Sequence, residues 1–289
     1  MLNKYIYHDV NFRGTIDRVS YTTHNPEGEL REKYANIYLP YGYDPEDTEK
    51  KYNILYLMHG GGGNPDAWLD CSMVKNMLDY CFSEKLAEPF IVVFPGFYKE
   101  AISRVGAPVA EVERQKVLDF LPETVSELLP AVESRVRGWA GSVDEAGLRA
   151  SRAHRAFGGF SMGACTTWYE FLQNLPYFSL FLPLSGDCWV MEPRGGESRP
   201  AETAEALAQA ALAGLKAGYD FQIFAATGSE DPARGSMVPQ IERMKCHPVF
   251  AFSETPEAGN LHFFVAEGER HAYECVYHYL YHYLPALFR

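Results

Sequence analysis

The chain has 289 residues, of which 26 are basic and 38 acidic, so its formal net charge is −12. A content of 47% hydrophobic and 14% aromatic residues suffices for a large buried core and excludes intrinsic disorder. The acidic balance disfavours nucleic acid and anionic membranes as partners, because both attract a basic surface. Single α/β folds often reach this length, so we predict one domain over residues 1–289.

The apolar runs of the chain are short. Residues 178–184 form one of the longest, far below the ~18 residues that indicate a transmembrane helix. The first nine residues, MLNKYIYHD, lack the apolar stretch of a signal peptide. We therefore expect a cytoplasmic protein, or a secreted one if a signal peptide has been removed.

Metal and cofactor motifs are missing from the sequence. The six cysteines are scattered without a CxxC pair, and the nine histidines include no HExxH pattern. His278 and His282 are four residues apart on a predicted helix, but no third ligand accompanies them. The sequence predicts buried, reduced thiols, no metal and no cofactor.

Strand and helix patterns alternate along the chain. Two alternating polar and apolar stretches, residues 15–22 and 34–40, predict an antiparallel strand pair at a sheet edge, and the continuous apolar run 53–59 predicts a buried parallel strand. Further strands are predicted at residues 90–95, 154–160, 178–185, 221–227 and 261–266, and helices at 71–84, 117–132, 162–174, 202–215 and 273–287. This order predicts an α/β fold with a mostly parallel sheet covered by helices on both faces.

Residues 94–109 carry Phe97, Tyr98 and Ile102 between glycines and prolines. Such a stretch fits either a flap over a binding pocket or a plain surface loop. The sequence does not decide between these two interpretations.

Residues 159–163, Gly-Phe-Ser-Met-Gly, match the pattern G-x-S-x-G. The motif follows a predicted strand and precedes a predicted helix, which is the context of a nucleophile elbow. The glycines permit a tight turn that exposes the Ser161 hydroxyl, and the helix start supplies backbone N–H groups beside it. The alternative is a serine that caps the helix in a glycine-rich turn.

A serine nucleophile needs a base and an acid that orients the base, in the chain order Ser, Asp or Glu, His. Glu230 and Asp231 follow the predicted strand 221–227, and we prefer Asp231 as the acid. Asp187, after the preceding strand, is an outside candidate.

Three histidines compete for the role of base. His262 lies inside a predicted strand, where packing is the expected role, and His247 precedes a proline. His271 lies between the last predicted strand and the last helix, so we prefer it.

An oxyanion hole needs a second donor besides the N–H of Met162, the residue after the nucleophile. Residues 59–63, His-Gly-Gly-Gly-Gly, follow a predicted strand and match the HGGG motif of esterases. Because glycines let the backbone approach the oxygen closely, we predict that Gly61 is this donor. A phosphate-binding loop would require Gly-Lys-Ser/Thr, whereas Asn64 and Pro65 follow here.

These motifs resemble the esterase-D-like branch of the α/β-hydrolase fold, and specifically the family-1 carbohydrate esterases with feruloyl esterase activity. The resemblance covers nearly the whole chain. Its carriers are residues 38–43 (YLPYGY), 57–64 (LMHGGGGN), Trp68, 151–156 (SRAHRA), 159–163, 185–189 (SGDCW), 227–231 (TGSED) and the loop of His271.

The resemblance implies Ser161 as nucleophile, His271 as base and Asp231 as the acid that orients it. It also implies that Trp189 lines the pocket for the aromatic acid. Members of the family often carry a secretion signal or a carbohydrate-binding module, and neither is visible here. The implied substrates are therefore soluble feruloylated oligosaccharides rather than intact plant cell wall.

Other functions fit the same motifs. Within the branch, acetylxylan esterase, S-formylglutathione hydrolase and a peptidase-like esterase remain open. From another class, an acyltransferase or a non-catalytic binding protein on this fold is possible, since fold does not determine function. The oligomeric state is not indicated by the sequence.

Overall fold

One sheet organises the part of the chain that the computed structural model describes, which is residues 4–25, 27–98 and 108–289. Its eight strands are arranged in the order β1-β2-β4-β3-β5-β6-β7-β8. They are β1 (Thr15–His24), β2 (Leu30–Leu39), β3 (Ile54–Met58), β4 (Ile91–Phe94), β5 (Arg155–Phe160), β6 (Leu180–Leu184), β7 (Gln222–Gly228) and β8 (Leu261–Ala266). Strands β3 to β8 are parallel, while β1 and β2 form the antiparallel edge that the sequence predicts.

Helices cover both faces of this sheet. The helices are α1 (Ala67–Cys71), α2 (Val74–Ser83), α3 (Val109–Glu123), α4 (Leu129–Glu133), α5 (Glu145–Ala150), α6 (Met162–Gln173), α7 (Gly195–Ser198), α8 (Pro200–Lys216), α9 (Arg234–Lys245) and α10 (Tyr273–Tyr283). Helices α1, α2 and α10 pack on one face, and α3, α6, α8 and α9 on the other. Strand β3 is apolar throughout because alternate residues enter both cores: Tyr56 faces one, and Leu57 the other.

The direction of the chain reverses beside β3. After β4 the chain crosses back over β3 to form β5, which pairs with β3 up to Met58 and Gly159. The carboxyl ends of β3 and β5 therefore lie side by side at a point where the strand order changes direction. In open α/β sheets such a point is where ligands bind.

Two predicted helices differ in their bounds. The helix expected over residues 71–84 is split into α1 and α2, because Ser72 is extended and its hydroxyl accepts a hydrogen bond from the Val74 N–H. The helix expected over 117–132 begins earlier, at Val109, and continues through Pro122 into a π-helical turn, Thr124–Leu128. Proline removes a backbone donor from the helix, which fits the change of hydrogen-bonding pattern next to it.

The SRAHRA stretch is structural. Arg155 is buried and forms an ion pair with Glu133, with Nε 2.6 Å from Oε1. Arg152 donates to Asp220 at 2.7 Å and to the carbonyls of Leu175 and Phe178. Both arginines lie at the amino end of β5, so they join neighbouring segments at the end of the sheet opposite Ser161.

The six cysteines are free thiols, as expected, but Cys71 and Cys246 are exposed, contrary to the expectation of burial. Among the described residues, no group of three His, Cys, Asp or Glu side chains is placed to hold a metal ion. Within the same residues, no helix is long and apolar enough to cross a membrane.

The structure describes only part of the stretch 94–109. Phe97 and Tyr98 are buried, and the Phe97 ring contacts the His59 ring at 5.1 Å in an edge-on arrangement. Ile102 and the rest of the possible flap, residues 99–107, lie outside the described residues.

Candidate active site

Ser161 forms a sharp turn between β5 and α6. Its backbone angles, φ 57° and ψ −114°, are strained for a residue with a side chain. Glycine is required on both sides: a Cβ on Gly159 would lie 2.6 Å from the backbone of Gly163, and a Cβ on Gly163 would lie 2.6 Å from the Met58 carbonyl oxygen. The geometry is that of a nucleophile elbow.

A chain of hydrogen bonds leads from Ser161 to a buried acid. His271 Nε2 lies 2.8 Å from Ser161 Oγ, and His271 Nδ1 lies 2.8 Å from Asp231 Oδ1. Asp231 is only 4% exposed, and the same oxygen also accepts the Ala233 N–H at 2.7 Å. Since an Asp carboxylate only accepts, His271 donates from Nδ1 and leaves Nε2 free to accept the serine proton.

The three residues come from the carboxyl ends of three parallel strands. Ser161 follows β5, Asp231 follows β7 and His271 follows β8. Parallel strands bring these ends to one edge of the sheet, so residues far apart in the chain meet there.

The competing acids and histidines have other positions. Glu230 is exposed. Asp187 is buried after β6, where it accepts the Trp189 indole N–H at 3.1 Å and the Gly196 N–H at 2.9 Å. His262 is buried in β8 and stacks on a phenylalanine ring, and His247 follows α9.

The glycine-rich loop lies directly beside the nucleophile. A Cβ on Gly60 would lie 3.4 Å from Ser161 Cβ, and one on Gly61 would lie 4.0 Å from Met162 Cβ. Met162 begins α6, and the first N–H groups of a helix have no intrahelical acceptor. Gly61 and Met162 are thus neighbours beside Ser161, and their N–H groups as oxyanion donors stay a prediction of the sequence.

His59 holds the start of this loop. Its Nδ1 donates to the Gly60 carbonyl at 2.7 Å, and its ring is buried. Burial lowers the pKa of His59 to about 4, so the ring is neutral at neutral pH. The neutral ring satisfies the Gly60 carbonyl without placing a charge beside the site.

Tyr273 is a residue of this site that sequence analysis missed. Its hydroxyl accepts the Gly60 N–H at 2.9 Å, and its ring contacts Phe160 and Trp68 at 4.9 and 5.1 Å. The Gly60 N–H is engaged in this way, whereas the N–H of the next glycine, Gly61, has no hydrogen-bond partner among the residues that the structure describes. The only feature of the sequence that points to Tyr273 is its position two residues after His271.

Trp189 lies in the loop after β6, which starts beside the nucleophile: a Cβ on Gly186 would lie 2.6 Å from the Ser161 carbonyl oxygen. The Trp189 carbonyl accepts Arg114 Nε at 2.9 Å and the Tyr169 hydroxyl at 2.7 Å. The indole is half-buried against the core. These contacts hold the loop, and recognition of substrate by Trp189 stays a prediction.

No protein-family model matches the chain. Among curated proteins, the chain is 40% identical over 276 residues to the endo-1,4-beta-xylanase Y of Acetivibrio thermocellus, covering 95% of the chain. It is 29% identical over 188 residues, or 64% of the chain, to an endo-1,4-beta-xylanase/feruloyl esterase of Xylanibacter ruminicola. The chain spans 23% of the length of each of these relatives.

A solved feruloyl esterase module from Clostridium thermocellum, a mutant in complex with sinapinate, is also similar. The identity is 38% and the TM-score 0.79, and the match covers 100% of this chain and 91% of that one. A structure named FAE is likewise 38% identical with a TM-score of 0.83, covering 98% and 91% of the two chains. The α/β-hydrolase fold and the resemblance derived from the motifs are thereby confirmed: the chain belongs to the feruloyl esterase family.

Proposed function

We propose that this chain is a serine esterase that releases ferulic or related hydroxycinnamic acids from esters of plant-derived sugars. The observation that carries the proposal is the continuous hydrogen-bonded chain Asp231–His271–Ser161 in a member of the feruloyl esterase family. The related module from Clostridium thermocellum binds sinapinate, a hydroxycinnamate, which supports the choice of acyl group.

In the first half of the reaction, Ser161 Oγ attacks the ester carbonyl carbon while His271 Nε2 takes the serine proton. The carbonyl oxygen becomes negative and is stabilised by the N–H groups of Gly61 and Met162. His271 then gives its proton to the departing sugar oxygen, the ester bond breaks, and the hydroxycinnamoyl group stays on Ser161.

In the second half, a water molecule replaces the sugar. His271 removes a proton from the water, whose oxygen attacks the acyl carbon, and the proton is then returned to Ser161 Oγ as the acid leaves. Asp231 keeps the imidazole in the required tautomer throughout and stabilises its protonated form.

Recognition of the acyl ring is the second part of the proposal. Trp189 is placed on the loop after β6, at the same sheet edge as Ser161. We propose that the indole contacts the aromatic ring of the hydroxycinnamoyl group, with Asp187 holding the indole through its N–H.

The test is a panel of methyl ferulate, acetylated xylan and S-formylglutathione, with Ser161→Ala as the control. The proposal predicts the highest kcat/KM on methyl ferulate and a burst of methanol that precedes steady-state release of ferulate when deacylation is slow. Faster turnover of the acetyl or thioester substrate would favour the other esterases. Transfer of the feruloyl group to an added sugar at low concentration would favour an acyltransferase.

We further propose that residues 1–289 form one catalytic domain, because one sheet draws its strands from Thr15 to Ala266. An ester of a small molecule or oligosaccharide is the proposed partner, and nucleic acid and membrane are not. A cytoplasmic location stays a prediction of the sequence.

A further inference from the structure

A carboxylate faces the glycine loop of the active site from the opposite wall. Glu113 lies on α3, and a Cβ on Gly61 would lie 2.8 Å from Glu113 Oε1. Burial is the main cause that raises the pKa of the Cys165 thiol, in the first turn of α6. The charges of Asp187, Cys188 and Glu113 raise this pKa further. The distance from Gly61 places the Glu113 carboxylate beside the glycine whose N–H is proposed to bind the oxyanion.

The Glu113 carboxylate differs from other acids on α3 in its partners among the described residues. Other acids on α3 have cations: Glu111 lies 3.6 Å from Arg114, and Glu123 lies 2.7 Å from Lys33. Glu113 has no hydrogen bond or ion pair with any described residue, although its side chain is half-buried. Besides its ion pair with Glu111, the neighbouring Arg114 donates to the Tyr169 hydroxyl and to the carbonyls of residues 189 and 190.

A half-buried carboxylate that has no donor among the described residues is a hydrogen-bond acceptor available to a ligand. An ionised carboxylate only accepts, so it can pair with a hydroxyl but not with an ether or methoxy oxygen. Resting on the proposed function, we propose that Glu113 accepts a hydrogen bond from a hydroxyl of the bound ester and thereby selects hydroxyl-bearing substrates.

The hydroxyl has two possible sources. A sugar ester carries hydroxyls close to the esterified oxygen, and a feruloyl group carries a phenolic hydroxyl at its far end. Both present the same O–H donor to Glu113, and substrates that contain one without the other separate them.

A purely electrostatic effect has a different signature. A negative charge beside the oxyanion hole repels the developing oxyanion of every ester equally. Removing the charge would then raise the rates on all substrates by one factor, whereas loss of a hydroxyl contact affects only substrates that have the hydroxyl.

The experiment compares three esters: feruloylated arabinose, methyl ferulate and methyl 3,4-dimethoxycinnamate, which lacks both sugar and phenolic hydroxyls. Glu113→Ala is the main variant, Glu113→Gln retains the side-chain volume, and Glu205→Gln on the exposed face of α8 controls for the change in charge. Turnover of the esters by the wild type tests the proposed function separately from the role of Glu113.

We expect Glu113→Ala to lower kcat/KM on the recognised substrate by roughly 10- to 100-fold relative to the dimethoxycinnamate, as for a hydrogen bond to a charged group. A selective loss on feruloylated arabinose identifies a sugar hydroxyl, and a loss on both ferulates identifies the phenol. If Glu113→Ala changes kcat/KM by the same factor on all three esters, or leaves kcat/KM unchanged on each of them, the proposal is overturned. Calorimetry of substrate binding in the Ser161→Ala background must show the same selectivity.

Discussion

Replacing Tyr273 with phenylalanine removes one hydrogen-bond acceptor from the active site and little else. The ring contacts with Phe160 and Trp68 are retained, but the Gly60 N–H loses the hydroxyl that accepts it at 2.9 Å. Burial raises the pKa of Tyr273 to about 12, so the group is a neutral hydroxyl at any working pH. The substitution therefore changes no charge.

The cost follows from the unpaired donor. A buried N–H left without a partner costs about 1–3 kcal/mol, and the lower part of this range applies where water can reach it. Gly60 immediately precedes Gly61, so a loop that shifts to satisfy its N–H also moves the oxyanion donor. We expect kcat to fall by about 5- to 100-fold, since 1.36 kcal/mol corresponds to a factor of ten.

The assay separates this effect from a loss of binding. Oxyanion donors act mainly in the transition state, so kcat and kcat/KM on methyl ferulate should fall together while KM stays nearly constant. The affinity of a boronic acid, which forms a tetrahedral adduct with serine, should fall by a similar factor. Tyr281→Phe, on the same helix and without a hydroxyl hydrogen bond to a described residue, is the control. A raised KM with unchanged kcat, or wild-type kinetics, would refute the reasoning.

Four further outcomes are expected. Ser161→Ala should lower kcat by a factor of about 10⁶ with the melting temperature unchanged. A variant that keeps more than about a hundredth of the wild-type rate would show that Ser161 is not the nucleophile. Trp189→Ala should reduce kcat/KM several-fold on methyl ferulate but little on a short acetyl ester, because ring contacts contribute about 0.5–1.5 kcal/mol; equal losses would indicate packing alone. Gly163→Ala should destabilise the fold by about 1–3 kcal/mol and reduce kcat, because its Cβ would lie 2.6 Å from the Met58 carbonyl oxygen. The control Gly141→Ala, whose Cβ has no neighbour within 4 Å, should leave the free energy of unfolding measured by calorimetry unchanged. Burial raises the pKa of Glu170 to about 8, so the protonated carboxyl stabilises the fold at low pH and this stabilisation is lost as pH rises from about 4.5 through 8. The melting temperature should therefore fall more between pH 6 and 9 in the wild type than in Glu170→Gln. An equal fall of the melting temperature in both proteins would contradict this.

The elbow could be identified from the sequence because its chemistry is local. Gly159 and Gly163 are required by backbone contacts within one turn and with the adjacent strand, and such requirements leave a short, readable pattern. The strands could be predicted for a similar reason, since burial on both sides makes them continuously apolar. The break at Ser72 and the early start of α3 were not predictable, because single hydrogen bonds and packing determine them.

The choice of Asp231 over Glu230 shows the limit of a pattern. Both acids follow the same strand, and only the turn after β7 buries one beside His271 and exposes the other. The preference for Asp231 from the sequence rested on its position in the loop together with the family resemblance, and the hydrogen bond to His271 comes from the tertiary structure.

The sequence by itself determined the fold class, the nucleophile turn and the chain order of the three proposed catalytic residues, because each follows from periodicity or from neighbours in the chain. Tertiary structure alone decided that Tyr273 holds the Gly60 N–H and that Glu113 faces Gly61. Tyr273 and Gly60 are 213 positions apart, and their contact depends on how helices pack across the sheet rather than on any local pattern. Packing of this kind depends on the whole core, so no short motif encodes it.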